Sequence, residues 1–168
     1  GRLGTSADLT SARAIEVAGV GPIATTAATT FTLNCLRSGT GDLTKTGTGT
    51  LSILGDSSGF GGSTTVAVGT LAVQGRLGGA VTVASAGRLE GAGRVDSLVN
   101  TGVVAPGASI GTLTVAGDYT GNGGQLEIEA ELGVDASAAD RLVVNVATSG
   151  ATAVHVINRG GFGAQTVE

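Results

Sequence analysis

The sequence predicts an all-β fold, a right-handed parallel β-helix (β-solenoid) ending in a C-terminal β cap. Three observations predict it: an excess of glycine and other small residues, apolar side chains alternating with period 2, and two short motifs that advance together. Glycine supplies 31 of the 168 residues, against a usual share of about 7 per cent. There is no tryptophan or methionine, and only one tyrosine, three phenylalanines and one cysteine. An aromatic-anchored core is therefore excluded, and a single cysteine cannot staple a disulfide scaffold. Collagen is excluded as well, since glycine does not recur every third residue and there are two prolines. A hydrophobic share of 41% with a net charge of −4 argues against disorder. Many short strands joined by glycine bends satisfy all of these limits.

The elements follow in chain order. The chain opens Gly1-Arg2-Leu3, without an initiator Met or a signal-peptide pattern, and reads as an excised fragment. Two uncharged stretches, 17–36 and 97–117, are long enough to span a membrane. They contain Pro22 and Pro106 and alternate polar with apolar residues, so no membrane insertion is expected. Ile15-Glu16-Val17, Ile23, Phe31-Thr32-Leu33, Leu43-Thr44 and Thr50-Leu51-Ser52-Ile53 alternate as strands do. On that alternation Cys35 joins Phe31 and Leu33 on one inward face, as a buried small hydrophobe.

The repeat is clearest from residue 65 onward. Thr65-Val66-Ala67-Val68, Ala80-Val81-Thr82-Val83, Ser97-Leu98-Val99 and Thr112-Leu113-Thr114-Val115 share one pattern, anchored on Val66, Val81, Leu98 and Leu113. A second series begins at Gly69, Gly87, Gly102 and Gly117 and is completed by Leu71, Leu89, Val104 and Tyr119. Both series advance with a period of ~15–18 residues, just below the usual solenoid window. Segments this short, broken by glycine, cannot be helices. One turn of a parallel coil, with bends that need positive φ, explains both registers. Rungs about 4.8 Å apart would stack like on like in a narrow bore, and about seven to nine of them make a rod of roughly 35–45 Å.

Beyond Leu113 the character changes. Residues 125–132 form a longer alternating strand with Glu127, Glu129 and Glu131 on one face, expected to be a solvated outer face. Residues 141–146 and 154–157 give two more strands, with Gly150 in the loop between them. Residues 1–97 carry seven basic and six acidic groups, whereas 98–168 carry two and seven. This shift divides the chain into 1–97, coil rungs, and 98–168, an acidic C-terminal subregion.

At this point the motifs resemble a known family. Leu43-Thr44-Lys45-Thr46-Gly47-Thr48-Gly49-Thr50-Leu51, with 61–66 and 69–71 after it, resembles the autotransporter-associated β-strand repeat. Val104-Ala105-Pro106-Gly107-Ala108-Ser109-Ile110-Gly111-Thr112-Leu113 is similar to the signature near the C-terminal end of pertactin-like passengers. The resemblance covers roughly residues 30–168 and weakens over 1–29; Cys35 and Phe60 depart from its pattern. It implies a passenger's C-terminal end, the autochaperone, that nucleates folding at the cell surface after passage through the periplasm. The implied partners are the rest of the passenger chain, its C-terminal translocator barrel, and a host surface protein met through passenger sequence outside this chain. Candidate packing residues for the nucleus and cap are Leu98, Val104, Leu113, Val115, Tyr119, Leu126 and Ile128, with Pro106 and Gly107 at a turn.

Other chemistries are weaker. Gly107-Ala108-Ser109-Ile110-Gly111 fits a nucleophile-elbow pattern, but a strand follows it where the elbow needs a helix, so a structural turn is expected. The only histidine, His155, alternates to the face opposite Val154 and Val156, exposed or partly packed. No catalytic residue, metal site or cofactor is expected: there is no phosphate loop, no calcium nonapeptide and no His/Cys ligand pair. Net acidity argues against nucleic acid. An adhesive outer surface is one alternative. A polysaccharide-degrading site is the other; it needs acidic and basic groups clustered in one groove, and convergence of Asp118, Asp135 and Asp140 beside Arg141 or Arg159 would favour it.

Overall fold

The computed structural model describes residues 1–36, 39–133 and 137–161. Alternating Val, Leu and Thr residues suit extended, half-buried backbone, and no helix occurs among the described residues. The chain opens with β1 (Leu3–Thr5), β2 (Leu9–Ser11), β3 (Gly21–Thr25), β4 (Thr30–Leu33), β5 (Leu43–Thr46), β6 (Thr50–Ile53) and β7 (Asp56–Ser57). Longer strands follow: β8 (Thr64–Val73), β9 (Arg76–Gly91) and β10 (Arg94–Asn100). The chain continues through β11 (Val103–Pro106), β12 (Thr112–Val115), β13 (Tyr119–Glu131), β14 (Arg141–Val144) and β15 (Thr148–Gly160).

All strand-to-strand pairings are parallel and join the strands in one sheet that coils on itself. Three faces result. On the first, β1, β3, β5, β8, β9, β10, β13 and β15 stack in that order. On the second, β2, β4 and β6 stack, continued by the C-terminal parts of β8 and β9, then β11, β13 and β15. The third holds Leu36 and β7, then the starts of β9 and β10, then β12 and β14. Long strands such as β9 bend around the corners and so serve more than one face.

Inward side chains form columns along the bore. Phe31, Leu51, Leu71, Leu89 and Val104 lie one above another, all buried. Leu43, Thr64, Val81, Leu98 and Tyr119 form a second column, and Leu77, Val95 and Val115 a third. The few aromatics described, Phe31, Phe60 and Tyr119, are all inside. The second-face column also takes in Leu9 and Val154, which are 47% and 64% exposed.

The structure corrects the repeat register. Val66 sits over Val83, not Val81, which stacks on Thr64. Leu113 leaves the Val81–Leu98 column and pairs with Leu142 on the third face. Gly102 does follow Gly69 and Gly87, but the next rung places Gln125 over Val103, so Gly124 and not Gly117 continues that corner. Tyr119 accordingly stacks on Leu98. The physical reason is that rungs differ in length. Among the second-face partners Leu71, Leu89, Val104, Leu126 and Val154, the step from Leu89 to Val104 is the shortest and that from Leu126 to Val154 the longest. A fixed period therefore drifts. Gly150 lies within β15, stacked on Gly121 at φ 75°, rather than in a loop. Cys35 lies beyond the end of β4 and is only half-buried, because the alternation stops at Leu33 where the chain bends.

Candidate functional site

The expected nucleus residues occupy two adjoining rungs of the coil. Leu98 and Tyr119 stack on the first face, and Val104 and Leu126 on the second. Val115 covers Val95 on the third, beside Leu113. Leu98, Val104, Leu113 and Val115 are fully buried and Tyr119 nearly so, while Leu126 and Ile128 are half-buried. These residues alternate with polar ones, so each strand turns one row inward and one outward.

Pro106 ends β11 and Gly107 turns the corner at φ 87°, in the left-handed region that glycine favours. The Gly107–Gly111 stretch is a turn leading into β12, as expected. Its anchor is Asp140, a residue whose structural part was not legible in the sequence. Asp140 Oδ1 accepts from Gly111 N at 2.7 Å and Oδ2 accepts from Glu129 N at 2.8 Å. The carboxylate is buried at 6% exposure and ties the turn to β13. A carboxylate that accepts two backbone N–H groups is a strong, charge-assisted clip.

A cavity of about 160 Å³ borders this clip, lined by Arg88, Glu90, Pro106, Glu127, Glu129 and Asp140 among others. Arg88 reaches Glu90 at 3.0 Å on its own strand and Glu127 at 2.6 Å two rungs on, across Ala105. Burial works against the Arg88 charge, but its bonds to the two carboxylates outweigh that and raise its pKa. Glu129 faces Arg159 at 3.5 Å. The expected solvated row of glutamates is thus corrected for Glu127 and Glu129, whose side chains are 20% and 26% exposed and paired. Glu131 is exposed. The reason is the long reach of the arginines, which fold over the sheet to meet them.

Asp118 lies at another corner, where its Oδ1 accepts from Ala147 N at 3.2 Å. It does not meet Asp140, and Asp135 lies outside the described residues. His155 is exposed on β15, next to Glu127 in the ladder register. No group of metal-ligating side chains occurs among the described residues.

Two further polar residues point into the bore. Lys45 is fully buried and its Nζ donates to the carbonyls of Thr46, Gly47 and Val68 at 3.0, 2.7 and 3.1 Å. Burial pushes its pKa down to about 8. Asn100 is also fully buried; its Nδ2 donates to Tyr119 Oη at 3.2 Å and to Gln125 O at 3.1 Å. Tyr119 Oη in turn meets Thr152 Oγ1 at 2.7 Å. Their sequence signal is a lone polar residue at an inward position, visible only once the register is known.

Residues 93–168 match the family model of the type 1 autochaperone domain. The whole chain is 45% identical over 169 aligned positions to the adhesin BmaC autotransporter of Brucella suis biovar 1, of which it spans 5%. Two Escherichia coli K12 proteins of uncharacterized function are also similar. YuaQ is 42% identical over 52% of this chain and 7% of its own length, and YdeU 53% identical over 33% of this chain and 12% of its own. The chain is thus short against these relatives, but its likeness to the Brucella protein runs from end to end. From residue 93 on the chain thus matches an autochaperone domain of type 1, and over its whole length it is similar to a short part of an autotransporter adhesin.

Proposed function

We propose that residues 98–168 act as the folding nucleus of a passenger, and that residues 1–97 are stalk rungs of the same coil. The observation that carries this reading is the type 1 autochaperone match over residues 93–168. The packing geometry supports it. Val95, Leu98 and Val104 would top three apolar columns of such a nucleus, and here Leu77, Val81 and Leu89 cover them. A rung arriving there buries apolar surface and completes backbone ladders on three faces. The first rung to form has no template and bears its loop-closure entropy alone. Leu98, Val104, Leu113, Val115, Tyr119, Leu126 and Ile128 supply the packing of that unit, Pro106 and Gly107 its tight corner, and β14 and β15 its cap. We read the coil as right-handed, since right-twisted strands joined within one parallel sheet almost always cross over that way.

In this reading the region is non-enzymatic and works at the outer surface of the outer membrane, after passage through the periplasm. Its partners are the upstream passenger and the translocator barrel of the same protein. Folding at the exit point biases the emerging chain outward without a nucleotide energy source. The test compares two deletions in the full-length protein, residues 98–168 and an upstream stretch of equal length. Loss of surface display and of protease resistance for the first deletion, with display kept for the second, is expected. Equal display from both would sink the idea.

The Brucella relative is named an adhesin, which favours a second reading, an adhesive outer surface on the exposed side of the rungs. A polysaccharide-degrading site is less well supported, since Glu127, Glu129 and Asp140 are already engaged by protein groups.

A further inference from the structure

Stacking rungs poses a register problem that apolar patterning does not solve. A slip of one residue turns every inward side chain outward and is strongly disfavoured. A slip of two residues restores the same inward row. Here Val66 could cover Val81 as readily as Val83, and Leu98 could cover Val83 as readily as Val81, since all are apolar and inward. Rung length does not forbid the slip. Along the first-face partners Leu43, Thr64, Val81, Leu98, Tyr119 and Thr148, the final step is far longer than the one from Thr64 to Val81. The corners therefore accept very different lengths.

One inward column holds what patterning lacks. Ile23, Lys45, Val66, Val83, Asn100 and Gly121 stack in succession along the first face. Lys45 and Asn100 are its buried polar members, and each hydrogen-bonds to the next rung, Lys45 to Val68 O and Asn100 to Tyr119 Oη and Gln125 O. Tyr119 extends the second link to Thr152 in the rung beyond. The space for Asn100 is itself specified, because a Cβ on Gly124 would lie 2.6 Å from its Oδ1. A two-residue slip carries the acceptors about 7 Å along the strand. The ammonium would then lose its link to the neighbouring rung, and both Asn100 donor bonds would break inside an apolar bore, where unpaired polar groups are costly.

We propose that Lys45 and Asn100 are specificity-determining residues for rung stacking: each selects the native register of the next rung over slips of two residues. Buried polar groups that fix the register of otherwise interchangeable apolar seams are the physical precedent. The inference goes beyond the folding-nucleus reading and holds whichever end of the coil forms first.

The test reads register directly in the full-length protein carrying Cys35→Ser. Outward pairs Thr44→Cys/Thr65→Cys and Val99→Cys/Thr120→Cys report the native register, because their Cα atoms are ladder partners. Val99→Cys with Asp118→Cys or Asn122→Cys, and Thr44→Cys with Ser63→Cys or Ala67→Cys, report slips of two. Those Cα pairs come within disulfide reach, below about 7 Å, only after slipping. Adding Asn100→Leu or Lys45→Met is expected to leave the β-sheet signal intact. The ratio of slipped to native disulfide across the affected rung should rise about tenfold, the factor given by one buried polar group left unpaired. An unchanged ratio in both apolar variants would overturn the proposal. Loss of β-structure in both would overturn it too, because the two side chains would then be needed for stability rather than for choosing the register.

Discussion

The rungs before and after residue 93 are built from the same columns but tied together differently. In the earlier rungs the bonds between turns are backbone ladders plus side chains that cap backbone groups, such as Asp8 to Thr30 N and Ser57 to Leu36 N. Among the described residues of that part, Ser63 with Asp42 is the one hydrogen bond between side chains of different rungs. In the later rungs side chains meet side chains: Asn100 with Tyr119, Tyr119 with Thr152, Thr120 with Ser149 and Asn122 with Thr101. Arg88 spans from the earlier part to Glu127 in the later one. Backbone ladders are indifferent to which rung follows, whereas paired side chains are not. Under the proposed function, a nucleus that folds without a template would gain most from such pairs.

Core truncations test this contrast with the largest effect. Leu51→Ala in the earlier part and Leu98→Ala in the later part each remove a fully buried side chain, and each should cost about 2–5 kcal/mol. Urea unfolding should register both alike. Surface display should fall for Leu98→Ala and hold for Leu51→Ala, and equal display would erase the distinction.

Asp140→Ala comes next. It strands two backbone N–H groups, on Gly111 and Glu129, for a loss of about 2–4 kcal/mol. Hydrogen exchange should rise at those two amides first and leave the earlier rungs protected.

Lys45 sharpens the other side of the comparison. Its pKa is lowered from 10.5 to about 8 in the fold. The unfolded chain therefore binds this proton more tightly, and stability rises with pH between about 8 and 10.5. The gain should be on the order of 1–3 kcal/mol, and Lys45→Met should abolish it in a denaturation series across that range. A stability that falls over this window relative to Lys45→Met would refute the assignment.

The smallest effect belongs to Arg88→Ala. Its side chain is 35% exposed, so losing its two ion pairs should cost about 1 kcal/mol or less and shrink further in salt. A larger loss would mean that the bridge across Ala105 holds the two parts together.

Much of the fold was legible because its causes are local. Glycine bends, period-2 alternation and small side chains each state a backbone preference, and they agree. The Gly107 turn was legible for the same reason: a strand follows it, so the serine there never had the setting of a nucleophile. The register was not legible, since Val66 over Val81 and Val66 over Val83 look alike in any apolar alignment. The clip at Asp140 was hidden because its partners, Gly111 and Glu129, are backbone groups that carry no side-chain signature. Glu127 and Glu129 looked solvent-facing because alternation assigns a face but not what folds over it.

The residues alone determined that this protein is a parallel coil with glycine corners, and their motifs pointed to the autotransporter passengers. Those properties depend on neighbours in the chain. The tertiary structure decided which residue stacks on which, and with it the burial of Lys45 and Asn100, the span of Arg88 and the anchor at Asp140. Each of these joins residues in different rungs. Rung lengths vary widely, from the short step between Leu89 and Val104 to the long one between Leu113 and Leu142, and leave such distances unset until the coil is wound.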